Sequence, residues 1–168
     1  MQIRTADAAD IGSVMQLLTD SRDWQAEQGF EAWSQFDRAQ IERDILAGQV
    51  YLGIVGSSAR GTMTLVDGDA LAWGADERGD ALYLHRLASA RTGPRQGVGA
   101  QLIRWARAEA ARRGRKWLRL ETWDTNTRMR GYYEQQGFRH VRDQYFPPDS
   151  PLPDDYRGTR KSLYQLEV

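Results

Sequence analysis

Cysteine is absent from the 168 residues, which excludes disulfides, cysteine-ligated zinc and a cysteine nucleophile. Histidine occurs only twice, which argues against a histidine-rich metal centre, and we predict that no metal is required. An excess of either charge is also missing, because Lys+Arg and Asp+Glu both number 23. A net charge near zero argues against a polyanion partner, so we predict no binding to nucleic acid.

Long apolar runs are missing as well. No stretch approaches the roughly 18 apolar residues of a membrane-spanning helix, and the first ten residues lack the apolar centre of a secretory signal. We therefore expect no membrane partner and a cytoplasmic location. The composition is that of an ordinary globular protein, with 40% hydrophobic and 27% charged residues in a chain of single-domain length. We predict a single domain over residues 1–168.

Hydrophobic periodicity and turn residues divide the chain into short strands and amphipathic helices. We predict strands at 2–4, 50–55, 61–66, 81–88, 117–122, 138–141 and 162–166, and helices at 8–20, 37–47, 98–113 and 126–136. Trp24 and Trp33 fall in a predicted loop, and 146–155, which holds four of the five prolines, is predicted to be irregular. The order β-αα-βββ-α-β-α-ββ predicts a mixed α/β fold, with a mostly antiparallel sheet of about seven strands and helices on both faces.

An anion site is predicted where the strand at 81–88 leads into the helix at 98–113. Main-chain amides at a helix N-terminus bind anions, and Gly97 and Gly99 remove Cβ atoms where a diphosphate would approach. Arg91 and Arg95 add positive charge at the same place. No Gly-Lys-Ser/Thr follows, and a third glycine is missing near Leu102, which argues against the Walker and dinucleotide motifs. The two glycines alone are equally compatible with an ordinary turn.

Three motifs, at 83–89, at 96–99 and at 133–138 with Asn126 before it, together resemble the GCN5-related N-acetyltransferase (GNAT) family. The resemblance covers residues 81–141 in specific motifs and the whole chain in strand order. It implies the GNAT fold, acetyl-CoA as donor, and direct transfer of the acetyl group to an amine in a ternary complex. A non-catalytic module of the same fold that binds or senses acyl-CoA is the alternative.

The resemblance also implies which residues contact the cofactor. The family pattern Arg/Gln-x-x-Gly-x-Gly/Ala, whose amides bind the CoA pyrophosphate, matches 94–99, although Pro94 replaces the usual Arg or Gln. Main-chain groups near Leu87 and Ser89 are implied to pair with the pantetheine arm like an added strand. The implied cofactor contacts are Leu87, Ala88, Ser89, Arg91, Arg95, Gln96, Gly97, Val98, Gly99, Ala100, Asn126 and Tyr133.

Acyl transfer to an ammonium needs a base, a donor to the developing oxyanion and a proton for the leaving thiolate. The resemblance implies that Tyr133 protonates the sulfur, although Tyr133 is also compatible with simple packing beside Tyr132. The base is open between His85, Glu121 and water. Strand alternation places Tyr83, His85, Leu87 and Ser89 on one face, and a strand amide near Leu87 is a candidate oxyanion donor.

In the family, the segments equivalent to 24–36 and 145–156 shape the acceptor pocket. Both are aromatic here and contain carboxylates, which suits a cationic amine, although the aromatics are equally compatible with a core role. We predict acceptor contacts from Trp24, Trp33, Tyr83 and Trp123. The expected acceptor is a small-molecule amine or a peptide. Family members often dimerise, so a homodimer is a further expectation.

Overall fold

A computed structural model describes residues 1–91 and 97–168. Over these residues the chain forms two compact units. The first comprises Met1–Leu65 and Leu84–Ala106, and the second comprises Val66–Tyr83 and Arg107–Val168. The chain therefore leaves the first unit after Leu65, returns to it at Leu84, and enters the second unit again at Arg107. The single domain over 1–168 stays a prediction.

Seven strands and five helices occupy the described residues. The strands are β1 (Gln2–Thr5), β2 (Val50–Val55), β3 (Ser58–Val66), β4 (Ala81–Ser89), β5 (Trp117–Trp123), β6 (Arg139–Phe146) and β7 (Thr159–Glu167). The helices are α1 (Ile11–Glu27), α2 (Arg38–Leu46), α3 (Ala70–Trp73), α4 (Val98–Arg112) and α5 (Thr127–Gln135). Among these helices, none is both long enough and apolar enough to cross a membrane.

The strands follow the order β1-β2-β3-β4-β5-β7-β6 in one sheet. The pairs β1–β2, β2–β3, β5–β7 and β6–β7 are antiparallel, whereas β4 pairs with β5 in parallel. The mixed α/β fold with a mostly antiparallel sheet of about seven strands is thus confirmed. In the described residues the parallel ladder has three pairs, from Ala81 opposite Trp117 to Tyr83 opposite Arg119.

In the first unit, the apolar stripes of α1 and α2 pack on the N-terminal strands. Residues three and four apart on each helix share a face, and the resulting core contains Val14, Leu17, Leu18, Ile41, Ile45, Val50 and Leu52. Asp7 begins the first helical segment, because its carboxylate accepts the Ala9 N–H at 2.9 Å while Asp10 accepts the Asp7 N–H at 2.9 Å. This reciprocal capping box confirms the predicted start of the helical region near Asp7.

In the second unit, the core forms around Trp73, which α3 carries although the helix has only four residues. Asp69 caps α3 by accepting the Ala72 N–H at 3.2 Å. The core residues are Ala72, Trp73, Ala81, Tyr83, Phe146, Leu152 and Leu163. This small helix, which the sequence pattern does not predict, therefore supplies one of the largest buried side chains of the unit.

Several element boundaries differ from the predictions. α1 runs to Glu27 and so contains Trp24, which was predicted to lie in a loop. Its later turns bury the polar residues Ser21 and Gln25, so the apolar stripe ends before the helix does.

Three strands are clearly longer than predicted. β3 and β7 each begin three residues before the predicted strand, at Ser58 and Thr159. β6 extends beyond the predicted 138–141 to Phe146, because β7 pairs with it along its length.

Candidate active site

The first unit carries the predicted anion site at the N-terminus of α4. Gly97 precedes the helix with a φ of +60°, a left-handed conformation that favours glycine. Its carbonyl accepts the Gln101 N–H at 3.0 Å and starts the helix. The amides of Val98, Gly99 and Ala100 therefore have no acceptor within the helix. Among the described residues other than its chain neighbours, no atom lies within 4 Å of the Cβ position at Gly97, and amides at such a helix start suit an anionic group such as a diphosphate.

Of Arg91, Arg95 and Gln96, whose side chains were predicted to lie at this site, the structure describes only Arg91. Arg95 and Gln96 lie outside the described residues. The guanidinium of Arg91 lies 4.1 Å from the centroid of the Trp24 ring and donates to Ser21 Oγ at 2.9 Å. The structure therefore places the charge of Arg91 against α1. The Trp24 ring, which was predicted to contact a cationic substrate, is therefore in contact with the guanidinium of Arg91.

The end of β4 presents main-chain groups in two directions. The Ala90 N–H donates to the Arg60 carbonyl of β3 at 2.9 Å. Because main-chain groups alternate along a strand, those of Leu87 and Ser89 face the opposite edge. This orientation suits the strand-like pairing with pantetheine that was predicted for them. Ala88 is buried in the core of the first unit, and by the same alternation its main-chain groups face β3, so its cofactor contact stays a prediction.

β4 contains a residue in the left-handed region, Arg86, between His85 and Leu87. Arg86 has a φ of +50° and forms an ion pair with the buried Asp44 of α2. Strict alternation requires extended backbone, so the prediction that Tyr83, His85, Leu87 and Ser89 share one face does not hold across Arg86. His85 itself is half-buried, directly before this bend.

In the second unit, Asn126 caps α5 and is almost completely buried. Its Oδ1 accepts the Met129 N–H at 3.0 Å, and the residue is 2% exposed. The amide nitrogen Nδ2 is buried without a hydrogen-bond partner among the described residues. An unsatisfied buried donor costs about 1–3 kcal/mol, and a ligand carbonyl could relieve this cost. The capping role is therefore established, and the predicted cofactor contact remains open.

Tyr133 lies on α5 in an aromatic cluster. It is 6% exposed, and its ring packs against Phe138 and Tyr164 at centroid distances of 5.8 and 6.4 Å. Burial, followed by the nearby Tyr132 and Glu121, raises the pKa of the Tyr133 hydroxyl well above its ordinary value. Tyr133 therefore stays protonated at neutral pH. It is both a packing aromatic and a proton-bearing group close to a carboxylate.

That carboxylate, Glu121, accepts a hydrogen bond from the hydroxyl of Tyr156, a residue between β6 and β7. Two residues further along β5, the Trp123 ring lies 3.6 Å from the ammonium of the buried Lys161. The sequence analysis placed Tyr156 in the predicted acceptor segment 145–156 without giving it an individual role, and it predicted no function for Lys161. The Trp123 ring, predicted to meet the acceptor, instead carries the protein's own cation.

Tyr83 is corrected from an acceptor contact to a core residue. It is 0% exposed, its ring packs against Trp73 at 5.9 Å, and its hydroxyl accepts from Arg119 at 3.1 Å. Burial and the Glu77 carboxylate raise the pKa of Tyr83. Alternation along β4 assigns Tyr83 to a face of the strand but gives no information on the helix α3 that covers it.

The last two features that were predicted to contact the acceptor are Trp33 and the segment 145–156. Trp33 is half-buried and packs against Phe36 at a centroid distance of 5.5 Å. The segment 145–156 contributes to a cavity of about 340 Å³ within the second unit. Its lining includes Leu71, Trp73, Arg142, Tyr145, Phe146 and Leu152. A cavity of this volume can hold a small organic group.

Comparison with known proteins identifies the wider group. The model of the acetyltransferase (GNAT) family matches residues 16–138, well over half of the chain. Among curated proteins, the chain is similar to "Uncharacterized N-acetyltransferase YesJ" of Bacillus subtilis (strain 168). The two are 26% identical over 140 residues, which cover 79% of this chain and 78% of the relative.

Solved structures share the fold over nearly the whole chain. An acetyltransferase of the GNAT family from Listeria monocytogenes 4b F2365 has a TM-score of 0.75 at 23% identity, covering 99% of this chain and 94% of the other. N-acetylglutamate synthase from Neisseria gonorrhoeae, complexed with coenzyme A and N-acetyl-glutamate, has a TM-score of 0.69 at 20% identity. This match covers 99% of this chain and 35% of the synthase. At these identities the likeness establishes the fold alone.

Proposed function

Because the chain belongs to the acetyltransferase (GNAT) family, we propose that it transfers an acetyl group from acetyl-CoA to a primary amine of a small molecule or peptide. The transfer is direct, within a ternary complex. The observation that carries this proposal is the buried Tyr133, kept protonated in the same unit as the Glu121 carboxylate that influences its pKa. A proton donor and a proton acceptor are what acyl transfer to an ammonium requires.

Three features suit three parts of acetyl-CoA. The amides at the start of α4, which have no acceptor within the helix, and the helix dipole suit the diphosphate. The outward main-chain groups of Leu87 and Ser89 suit the amides of its pantetheine arm. The buried Nδ2 of Asn126, which lacks a partner among the described residues, suits a carbonyl of the same molecule. The thioester itself supplies the acetyl group to be transferred.

The chemistry assigns one proton movement to each side chain. The acceptor ammonium loses a proton to Glu121, or to His85 or water as the alternatives, and its nitrogen then attacks the thioester carbonyl carbon. When the C–S bond breaks, the electron pair stays on sulfur and the Tyr133 hydroxyl supplies the proton. The second proton of the acceptor nitrogen leaves to solvent as the amide forms, and solvent returns a proton to Tyr133. A main-chain amide near Leu87 is the proposed donor to the developing oxyanion.

Acceptor recognition is proposed to involve the segment 145–156, its cavity and Trp33. Trp24 and Trp123 already hold Arg91 and Lys161, so they are better suited to shaping the surroundings than to binding a substrate cation directly. The half-buried Trp33 keeps its proposed role as an acceptor contact. A homodimer stays a prediction.

The test is a thiol-release assay with acetyl-CoA over a panel of small amines, amino acids, polyamines and peptide N-termini. We expect CoA release above the amine-free background for one class, with an equal yield of the N-acetylated amine by mass spectrometry. Acetyl-CoA binding without release above background for any amine would contradict the proposal. That result would favour the non-catalytic acyl-CoA-binding module.

A further inference from the structure

Tyr156 is the last residue of the aromatic segment 145–156, whereas no sequence pattern singles out Lys161. In the second unit the Tyr156 hydroxyl donates to Glu121, and the Lys161 ammonium lies 5.3 Å from the centroid of the Tyr156 ring. We infer that Tyr156 is a positioning residue. Its hydroxyl fixes the Glu121 carboxylate as the base that takes the ammonium proton, and Lys161 fixes the ring of Tyr156. The inference rests on the proposed function, and it selects Glu121 among the candidate bases.

Strand geometry places these groups together. Glu121 and Trp123 are two residues apart on β5 and therefore share a face. Trp123 is directly opposite Lys161 of β7 in the antiparallel ladder, so the Lys161 side chain lies on that same face. The Tyr156 hydroxyl then donates to Glu121 Oε1. Glu121, Trp123 and Lys161 therefore lie on one face of the sheet, and Tyr156, from the segment between β6 and β7, contacts that face.

Tyr156 is held rigidly enough to orient a partner. Its ring packs edge-on against Phe146 at a centroid distance of 5.5 Å, and its N–H donates to the Pro153 carbonyl at 2.9 Å. The ammonium of Lys161, a residue 3% exposed, lies 5.3 Å from the Tyr156 ring centroid and 3.6 Å from that of Trp123. A desolvated cation beside two aromatic rings is attracted by both. Ring and hydroxyl are therefore fixed by separate contacts.

In the hydrogen bond between Tyr156 and Glu121, the tyrosine hydroxyl is the donor and the carboxylate is the acceptor. Burial and the Glu121 carboxylate raise the pKa of Tyr156 well above its ordinary value, so the hydroxyl remains a donor. An ionised carboxylate has about four lone-pair positions. The bond from Tyr156 therefore orients Oε1 without using all the positions at which the carboxylate can accept a proton. Tyr156 acts through Glu121 rather than on the substrate, which distinguishes it from Tyr133.

The test is a double-mutant cycle in kinetics. Tyr156→Phe removes the hydroxyl and keeps the ring contacts, so we expect kcat to fall about 10- to 100-fold, the cost of a misplaced catalytic group, with the KM for acetyl-CoA within about twofold. In a Glu121→Gln background the same change should have no further effect on kcat. Ser162→Ala is the matched control, because it removes a buried hydroxyl of the same unit that donates to a different carboxylate, Asp143, at 2.6 Å. Its kcat should stay within about twofold of wild type.

Two results would overturn the inference. The first is an unchanged kcat for Tyr156→Phe, and the second is an equal loss of kcat with and without Glu121. A wild type that acetylates no amine in the panel overturns the proposed function, and the catalytic part of this inference with it. The Tm values of wild type, Tyr156→Phe, Glu121→Gln and the double variant test the Tyr156–Glu121 hydrogen bond independently of activity. Non-additive Tm shifts support the Tyr156–Glu121 bond, and additive shifts contradict it.

Discussion

Gly61 of β3 lies where α4 approaches the sheet in the first unit, and alanine at this position should destabilise the protein. A Cβ at Gly61 would lie 2.6 Å from Val98 Cγ1, 2.8 Å from Leu102 Cδ1 and 3.1 Å from the Ala88 carbonyl oxygen. Optimal contact between carbon atoms is at roughly 3.5–4.0 Å, so the two α4 side chains must retreat by roughly 1 Å. Val98 is stiff at χ1 and Leu102 is fully buried, so neither can turn aside.

Adding a methyl group to a packed core costs about 1–3 kcal/mol, which lowers Tm by roughly 2–12 °C in a chain of this length. Urea unfolding and thermal melts measure this loss. Because the displaced helix carries the proposed diphosphate site, acetyl-CoA should also bind more weakly. Gly12→Ala is the control, since no atom lies within 4 Å of its Cβ position and alanine is favoured in a helix. A Gly61→Ala protein as stable as wild type, beside a normal control, would refute the close approach of α4 to β3.

Three further predictions concern the second unit. Tyr133→Phe should lower kcat roughly 10- to 10³-fold, as loss of a general acid does, with unchanged acetyl-CoA affinity by calorimetry; a fully active variant would make Tyr133 a packing residue only. Asn126→Ser keeps an N-cap oxygen but removes the buried Nδ2, so Tm should change little while the Kd for acetyl-CoA rises; an unchanged Kd would exclude the proposed contact. Hydrogen bonds from Arg112 and then Arg113 lower the pKa of Glu109 from 4.5 to about 2. The folded pKa lies below the unfolded one, so this stabilisation, about 1–3 kcal/mol, is complete above pH 4.5 and is lost as the pH falls towards 2. Wild type should therefore lose more Tm than Glu109→Gln over that pH range, and parallel curves would contradict the assignment.

Local patterns predicted the fold well where a strand or helix carries its own signal. The α4 region was evident because a strand, two glycines and an amphipathic helix follow one another directly. β6 was predicted too short because its residues before Phe146 are largely exposed and polar, as on an edge strand, and only its pairing with β7 defines its length. α3 was missed because four residues are too few to show a period.

The residues of the candidate site also differ in whether local sequence patterns could predict them. The α4 amides and Tyr133 lie in motifs that are continuous in sequence, and they could be predicted. The individual roles of Tyr156 and Lys161 could not, because their relation to Glu121 and Trp123 depends on contacts between residues about 35 positions apart. Tyr83 was misassigned because alternation predicts a shared face but not the element that covers it. Aromatic residues beside carboxylates suggested a substrate cation, whereas Arg91 and Lys161 occupy two of those rings.

The central claim is that this chain uses acetyl-CoA, and calorimetric titration of the purified protein with acetyl-CoA tests it most directly. We predict saturable binding with one molecule per chain, and loss of that binding in Gly99→Glu. The glutamate carboxylate would then occupy the place of the diphosphate, yet an acidic residue in the first helical turn suits the helix dipole and should leave folding intact. Absence of binding by the folded wild type, or equal affinity in folded Gly99→Glu, would contradict the account.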